Sequence, residues 1–155
     1  MQKKVLIVAE KPNTGKTTAI RTICKNMIDD GAELYFLSGA PRQKKKSFAI
    51  NDLTNRSIQG DIMACLIYRG VLIGIFSRGD DYYKVDIKVI IEIYIKMGCG
   101  LILCASHSAG SKTYQTIENT AQKYGMKKQI ECFKKIRNNY IDINVLWQKI
   151  QTILQ

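Results

Sequence analysis

The feature that most constrains this chain is an apolar run near the N-terminus that passes through a short turn into an amphipathic helix. Residues 5–8, Val-Leu-Ile-Val, are continuously apolar, which is typical of a central parallel strand buried on both faces. Residues 10–15 have turn chemistry, and apolar side chains then recur at helical spacing until Gly31. A buried strand that leads directly into a helix predicts an α/β protein.

The rest of the chain continues the alternation of strands and helices. Apolar runs predict strands at residues 4–9, 34–37, 62–67, 71–76, 101–104 and 130–133, the third and fourth forming a β-hairpin. Helical spacing predicts helices that begin at Lys16, carry Tyr114 to Tyr124, and close the chain at residues 143–154. Residues 38–60 are polar and weakly patterned, and we expect a long mobile segment there. The prediction is one α/β domain over residues 1–155, with three αβα layers and a mainly parallel sheet that includes one β-hairpin.

Residues 84–96 fit both a helix and a strand. Lysine or glutamate recurs at every fourth position, as on one face of a helix, yet the odd positions from 85 to 95 are all apolar. Parallel strands at residues 71–76 and 101–104 need a crossover connection, which a helix supplies. Topology therefore favours a helix.

Charge and cysteine content restrict the partners and the compartment. The chain has 24 Lys and Arg against 13 Asp and Glu, and its net charge of +11 favours anionic partners. The one dense basic run, residues 42–46, is short and lacks aromatic or glycine interleaving, so a nucleic-acid surface is not favoured. Five scattered cysteines without metal-type spacing are typical of reduced thiols. With no apolar stretch long enough for a bilayer and no signal-peptide pattern, we expect a cytoplasmic protein without a membrane partner.

Residues 10–17, Glu-Lys-Pro-Asn-Thr-Gly-Lys-Thr, have the chemistry of a phosphate-binding loop. Backbone N–H groups at a helix N-terminus, together with the helix dipole, favour an anion. Lys16 would add a mobile cation, and the Thr17 hydroxyl can ligate Mg²⁺. Strand, loop, Gly-Lys-Thr and helix follow one another in the required order, which predicts a nucleotide site.

This stretch resembles the P-loop NTPase superfamily, whose loop reads G-x-x-x-x-G-K-[ST]. The local match covers residues 10–17, and the alternating elements extend the likeness loosely over most of the chain. The resemblance implies ATP, with GTP as the alternative, and Mg²⁺ held by Thr17. It also implies Thr18 near the α-phosphate, Lys16 on the terminal phosphates, and β-phosphate contacts from the amides of Asn13, Thr14, Gly15 and Lys16.

One residue of the loop departs from that pattern, and a second is unusual. Glu10 stands where the pattern has glycine, and its carboxylate would repel a phosphate if it pointed inward. Lys11 occupies the place of a signature lysine in some dimerising P-loop ATPases, which implies a possible homodimer. In so lysine-rich a chain, a solvated surface lysine is the favoured interpretation of Lys11.

The resemblance also implies an acidic residue for Mg²⁺ at the end of a strand beside the loop strand. The predicted strand at residues 71–76 continues into Ser-Arg-Gly-Asp-Asp, so Asp80 is the first candidate and Asp81 the second. A turn that caps the next helix would explain Asp81 equally well. Arg78 is a candidate cation for a transferred phosphate, and equally a plain surface residue. The catalytic candidates are thus Lys16, Asp80 and Arg78.

Residues 104–108 follow a later strand, where a conventional GTPase would carry Asn-Lys-x-Asp, and they read Cys-Ala-Ser-His-Ser instead. This argues against such a GTPase. A lid role for residues 105–112 stays open, and His107 is interpreted as a rim residue rather than a base. We expect a small P-loop NTPase or a kinase of a small-molecule acceptor. The alternative is a non-catalytic module of the same fold that binds a protein or nucleic acid, which Glu10 and the basic run motivate.

Overall fold

A computed structural model describes residues 2–155, in which strands and helices alternate along most of the chain. The six longer strands are β1 (Lys4–Ala9), β2 (Glu33–Gly39), β3 (Ile62–Tyr68), β4 (Val71–Phe76), β5 (Leu101–Ser106) and β6 (Ile130–Phe133). The helices are α1 (Lys16–Asp29), α2 (Lys84–Met97), α3 (Lys112–Lys123) and α4 (Ile143–Ile153). A small hairpin, β7 (Ile136–Arg137) and β8 (Tyr140–Ile141), separates β6 from α4. Single turns of 3-10 helix lie at Ile50–Thr54, Asp81–Tyr83 and Lys127–Gln129.

The six longer strands form one sheet in the order β2-β3-β4-β5-β1-β6. The pairs β4–β5, β5–β1 and β1–β6 are parallel, whereas β3 is antiparallel to both of its neighbours. Arg69 and Gly70 join β3 to β4 with φ values of 53° and 77°, as a tight hairpin turn requires. Because β3 runs in the opposite direction, its first residue lies at the same edge of the sheet as the carboxyl ends of β1, β4 and β5.

Helices cover both faces of the sheet and give the fold three layers. On one face α1 and α4 pack over alternate residues of the strands, with Ile20, Ile23, Leu146 and Ile150 fully buried. On the other face α2 and α3 cover the remaining strand residues, with Ile87, Ile91 and Ile117 at their centre. Two apolar layers therefore sandwich a sheet whose inner strands are apolar on both sides, as the continuous run at residues 5–8 predicts.

The α/β class, the mainly parallel sheet and the β3–β4 hairpin are confirmed, and so is the helix over residues 84–96. One neighbour relation is wrong. The strand that ends before Asp80 is not beside β1, because β5 lies between β4 and β1. The β7–β8 hairpin was not predicted.

Residues 38–60, predicted as a long mobile segment, begin with the end of β2, and their last part, residues 52–60, is bonded to α1 by Arg21. The Arg21 guanidinium, buried at 6% exposure, lies 5.2 Å from the centroid of the Phe48 ring. It donates hydrogen bonds of 2.5–3.3 Å to five backbone carbonyls, those of Asp52, Leu53, Asn55, Ile58 and Gly60. Residues 52–60 thus have a fixed path although they lack periodicity, because one buried cation bonds five of their carbonyl groups.

Two structural features relate to the expected compartment: the state of the cysteines and the length and apolar content of the helices. Cys24, Cys65, Cys99 and Cys104 are buried and free of disulfides, while Cys132 is exposed. Burial raises the pKa of Cys24 and of Cys104 to about 12. Within residues 2–155, none of the helices combines the length and apolar content needed to cross a bilayer.

Candidate functional site

The loop between β1 and α1 curls over the N-terminus of α1. Asn13 and Gly15 have φ values of 65° and 74°, a left-handed conformation that glycine adopts without strain. Gly15 is the N-cap of α1, and glycine has no side chain with which to bond the first amides of the helix. The buried Thr14 hydroxyl donates to the carbonyl of Lys11 at 2.9 Å. The loop therefore leaves the positive end of α1 available to an anion.

Lys16 spans this loop from the first turn of α1. Its ammonium donates to the carbonyl of Glu10 at 2.5 Å and to that of Lys11 at 3.1 Å. Burial lowers the pKa of Lys16 below its ordinary value, and the nearby charges of Asp80 and Glu10 counteract part of that effect. The one lysine that the resemblance places on phosphate is thus the lysine that closes the loop.

Glu10, the departure from the loop pattern, bonds to its own neighbour. Its carboxylate accepts a hydrogen bond from the backbone N–H of Lys11 at 2.9 Å. The cavity over the loop, of about 480 Å³, is lined by residues 12–18, Asp61, Ser77, Gly79, Asp80 and Tyr140, and Glu10 does not line it. The Lys11 side chain is exposed. The Glu10 carboxylate therefore bonds locally and does not line the cavity, although its charge still acts on Lys16.

The side chain that meets Thr17 is Asp61, which the sequence analysis did not single out. The Thr17 hydroxyl donates to Asp61 Oδ1 at 2.8 Å, and the Ser77 hydroxyl is 2.9 Å from the same oxygen. Asp61 directly precedes β3 and Ser77 directly follows β4, so the antiparallel direction of β3 brings them together. The predicted hairpin was the signal that could have located Asp61, because it places the start of β3 at the loop edge.

Gln43 holds the backbone at Asp61. The backbone N–H of Asp61 donates to Gln43 Oε1 at 2.8 Å, and Gln43 Nε2 donates to the carbonyl of Asp61 at 2.9 Å. The basic run around Gln43 is itself partly paired, since Arg42 contacts Asp86 at 3.0 Å and Lys45 lies 3.7 Å from Asp52. The run thus helps to position a carboxylate of the cavity.

Arg78 is not brought into the cavity. Its side chain is 5% exposed, its Nε lies 3.7 Å from Asp61 Oδ2, and it donates to the backbone carbonyl of Pro41. Its guanidinium carbon lies 3.9 Å from the centroid of the Tyr83 ring, a cation–π contact. The proposed cation for a transferred phosphate is therefore a buried partner of Asp61, and it does not reach the cavity that a phosphate would enter.

Asp80 and Asp81 diverge after β4. Asp80 lines the cavity with its side chain 65% exposed, and its Oδ1 is 3.3 Å from Nε2 of His107. Asp81 instead accepts from the backbone N–H of Thr113 at 2.9 Å, in the first turn of α3. Burial acts to raise the pKa of Asp81, but bonds from Thr113 and the charges of His107 and Lys112 outweigh it and lower that pKa. Asp80 thus faces the cavity, and Asp81 binds the start of a helix.

The β7–β8 hairpin forms one wall of the cavity. Asn138 and Asn139 turn it with φ values of 52° and 68°, and the backbone N–H of Ile141 donates to the carbonyl of Thr14 at 2.8 Å. Tyr140 lies against Gly15, where an added Cβ would be 3.3 Å from Tyr140 Cδ1. A side chain at position 15 would therefore crowd the hairpin as well as strain the backbone. The sequence signal for this turn was the pair Asn138-Asn139, which stands between two short segments that each contain a residue favoured in strands.

A second cavity, of about 700 Å³, adjoins the first. It is lined by residues of α1, by residues 53–56 and 58–60, and by Tyr140, Ile141 and Ile143. Gly15, Thr17, Thr18 and Tyr140 line both cavities, so the two spaces share the first turn of α1.

Comparison of the chain with protein-family models, with curated proteins and with solved structures finds no match in any of the three. Within residues 2–155 there is no cluster of three or more His, Cys, Asp or Glu side chains that could hold a metal ion. The function is therefore argued from the geometry of this chain.

Proposed function

We propose that this protein is a P-loop NTPase or phosphotransferase that binds Mg·ATP at the β1–α1 loop and moves the terminal phosphoryl group to water or to a small acceptor. The observation that carries the proposal is the 2.8 Å hydrogen bond between the Thr17 hydroxyl and the Asp61 carboxylate, at the foot of the loop. A loop hydroxyl backed by a carboxylate, beside a lysine and an uncapped helix N-terminus, supplies the groups that phosphoryl transfer needs.

The donor set fits Mg²⁺, which prefers oxygen ligands and is held through one or two carboxylates together with substrate phosphates. Thr17 would ligate the ion directly, and Asp61, which accepts from Thr17, would hold the hydroxyl in place and add negative charge behind it. Bound there, Mg²⁺ would neutralise charge on the phosphates. Asp61 takes the role that we first expected of Asp80.

Lys16 supplies the mobile cation. Its ammonium now bonds to two loop carbonyls within 3.1 Å, and its flexible stem lets it exchange one of these for a phosphate oxygen. Because Glu10 is turned to the Lys11 amide, its carboxylate does not line the space where that phosphate would sit.

Asp80 is the side chain available for the attacking group. It lines the cavity, and His107 lies 3.3 Å from its Oδ1. We assign Asp80 to orienting a water or an acceptor hydroxyl by accepting its hydrogen bond, with His107 holding the carboxylate in position. ATP is preferred to GTP because residues 104–108 lack the guanine-reading pattern.

Titration calorimetry with Mg·ATP tests the proposal. We expect wild-type protein to bind, and Lys16→Ala to weaken binding by about tenfold or more, since a charged hydrogen bond to phosphate contributes about 1.5–3 kcal/mol. Lys44→Ala is the matched control, because it removes one equally positive but exposed side chain outside both cavities.

Phosphate release, measured with and without a panel of small hydroxyl acceptors, then separates hydrolase from transferase. Release without acceptor indicates a hydrolase, and acceptor-dependent turnover indicates a kinase. Absence of binding heat with both Mg·ATP and Mg·GTP would refute the proposal and leave the alternative of a non-catalytic binding module.

A further inference from the structure

We propose that Tyr140 is the stacking platform for the nucleobase, and that the 700 Å³ cavity beside α1 holds the nucleoside. This inference rests on the proposed function, and it assigns to this chain a base-binding residue and the direction in which the nucleotide lies. Three features carry it: the way Tyr140 is held, the connection between the two cavities, and the polar groups that line the larger cavity.

Tyr140 is exposed and yet fixed. Its side chain is 61% exposed, whereas the next residue, Ile141, is 4% exposed and packs in the core. The backbone N–H of Ile141 donates to Thr14 at 2.8 Å, and that of Asp142 donates to Lys135 at 2.9 Å. The two asparagines in left-handed conformation fix the turn that presents the ring. An aromatic side chain left in solvent but held by backbone bonds on both strands is suited to stacking, since little order remains to be imposed on binding.

The two cavities give the nucleotide a direction. The smaller one contains Lys16, Asp61 and Asp80, where the terminal phosphates and the attacking group belong. The larger one contains Thr22 and residues 53–60, farther along α1 and away from Lys16. Thr18 and Tyr140 line both, so a ligand whose α-phosphate lies at Thr18 would pass its sugar into the larger cavity beside the Tyr140 ring. The volume is within the range of small-molecule sites.

The larger cavity, which Tyr140 also lines, carries residues with hydrogen-bonding side chains. Asn55, Arg56 and Gln59 line the larger cavity. Their backbone is held by Arg21, which bonds the carbonyls of Asn55, Ile58 and Gly60. Asn55 Oδ1 accepts from the backbone N–H of Ser57 at 3.0 Å, and Gln59 Nε2 donates to the carbonyl of Arg56 at 3.3 Å. The Asn55 amide nitrogen and the Gln59 amide oxygen can still offer a donor and an acceptor to the edge of a base, while the ring of Tyr140 offers its face. An aromatic ring and amide groups that line one cavity suit a nucleobase.

The test compares two triphosphate ligands, Mg·ATP and Mg·tripolyphosphate, of which only the first carries a nucleoside. Titration calorimetry is run on wild type, Tyr140→Ala, Tyr140→Phe and Lys16→Ala, and circular dichroism confirms that each variant folds. Because stacking on an aromatic ring contributes substantially per base, we expect Tyr140→Ala to weaken Mg·ATP by about tenfold and to leave Mg·tripolyphosphate within about twofold of wild type. Tyr140→Phe keeps the ring and should bind Mg·ATP like wild type.

The outcomes separate the two proposals. Unchanged Mg·ATP affinity in Tyr140→Ala overturns the stacking role, and so does an equal loss of both ligands, which would mean that Tyr140 only shapes the loop. Lys16→Ala should weaken both ligands. If wild type binds neither, or if Lys16→Ala changes neither, the phosphate site itself fails and the nucleoside assignment fails with it.

Discussion

Replacing Arg21 by methionine tests whether one buried cation holds residues 52–60 against α1. Methionine keeps an unbranched apolar stem over Phe48 but removes all five hydrogen bonds of the guanidinium. Even at about 1 kcal/mol for each bond, the value typical of a neutral hydrogen bond, the five bonds would sum to about 5 kcal/mol. Two of the bonds are long, at 3.2 and 3.3 Å, and the freed carbonyls near the surface regain water. We therefore expect a loss of about 3 kcal/mol in the free energy of unfolding.

Urea unfolding measures this loss. With an m-value of about 2 kcal/mol/M, a loss of about 3 kcal/mol lowers the midpoint by about 1.5 M. Lys25→Met is the matched control, because it removes a cation one turn further along α1 whose partner, Asp29, is 58% exposed. Its midpoint should move by less than about 0.5 M, as expected for a surface ion pair.

Hydrogen exchange separates local from global effects. Amides of residues 50–60 should lose protection in Arg21→Met more than those of β1 or β5, because Arg21 bonds only the former. If the Arg21→Met midpoint moves no further than that of Lys25→Met, then other contacts hold the segment and the argument from Arg21 is wrong.

Two further substitutions test the core and the edge of the sheet. In Gly74→Ala, the new Cβ would lie 2.4 Å from the Tyr94 ring, and that ring is held because its hydroxyl donates to two strand carbonyls at 2.8 and 3.0 Å. We therefore expect urea unfolding to show a loss of about 1–3 kcal/mol in the free energy of unfolding. An unchanged urea midpoint would contradict this packing. Hydrogen bonds from Lys149 and Lys4 lower the pKa of Glu131 in the folded protein below its ordinary value of 4.5. The ionised carboxylate therefore stabilises the fold above pH 4.5, and this stabilisation is lost as the pH falls through the lowered pKa. The stability difference between wild type and Glu131→Gln should therefore be present at pH 7 and shrink below pH 4.5, and a constant difference would refute it.

The strands could be predicted because their apolar runs are continuous and short. β1, β4 and β6 have the predicted bounds, since each run ends at a charged or polar residue. α2 was harder because its apolar residues lie on two faces. Ile87 and Ile91 are buried, whereas Val85, Val89 and Ile93 are exposed. An apolar face left in solvent imitates the alternation of a strand, so the pattern fitted both structures and the need for a crossover decided in favour of the helix.

The site was predictable where its residues are adjacent in sequence. Residues 13–18 could be proposed together because one strand, one turn and one helix N-terminus position them. Asp61 lies 44 residues after Thr17 in the sequence, and Tyr140 lies 123 residues after it. Only the strand order brings them to this edge of the sheet. Arg78 illustrates the reverse error, because a cation next to a strand end was expected to face the cavity and is instead buried against Asp61.

Asp61 has two roles that any test of the site must separate. One carboxylate oxygen accepts from Thr17 and Ser77, and the other lies 3.7 Å from the buried Arg78. Loss of the carboxylate would therefore remove the group behind Thr17 and leave a buried cation without its partner, which is strongly destabilising. This coupling explains why the nucleotide tests use Lys16 and Tyr140, which belong to the loop and its wall and are not paired with a buried charge. It also means that Arg78 holds the Asp61 side chain while Gln43 holds its backbone, and the two together position the carboxylate that would support the metal site.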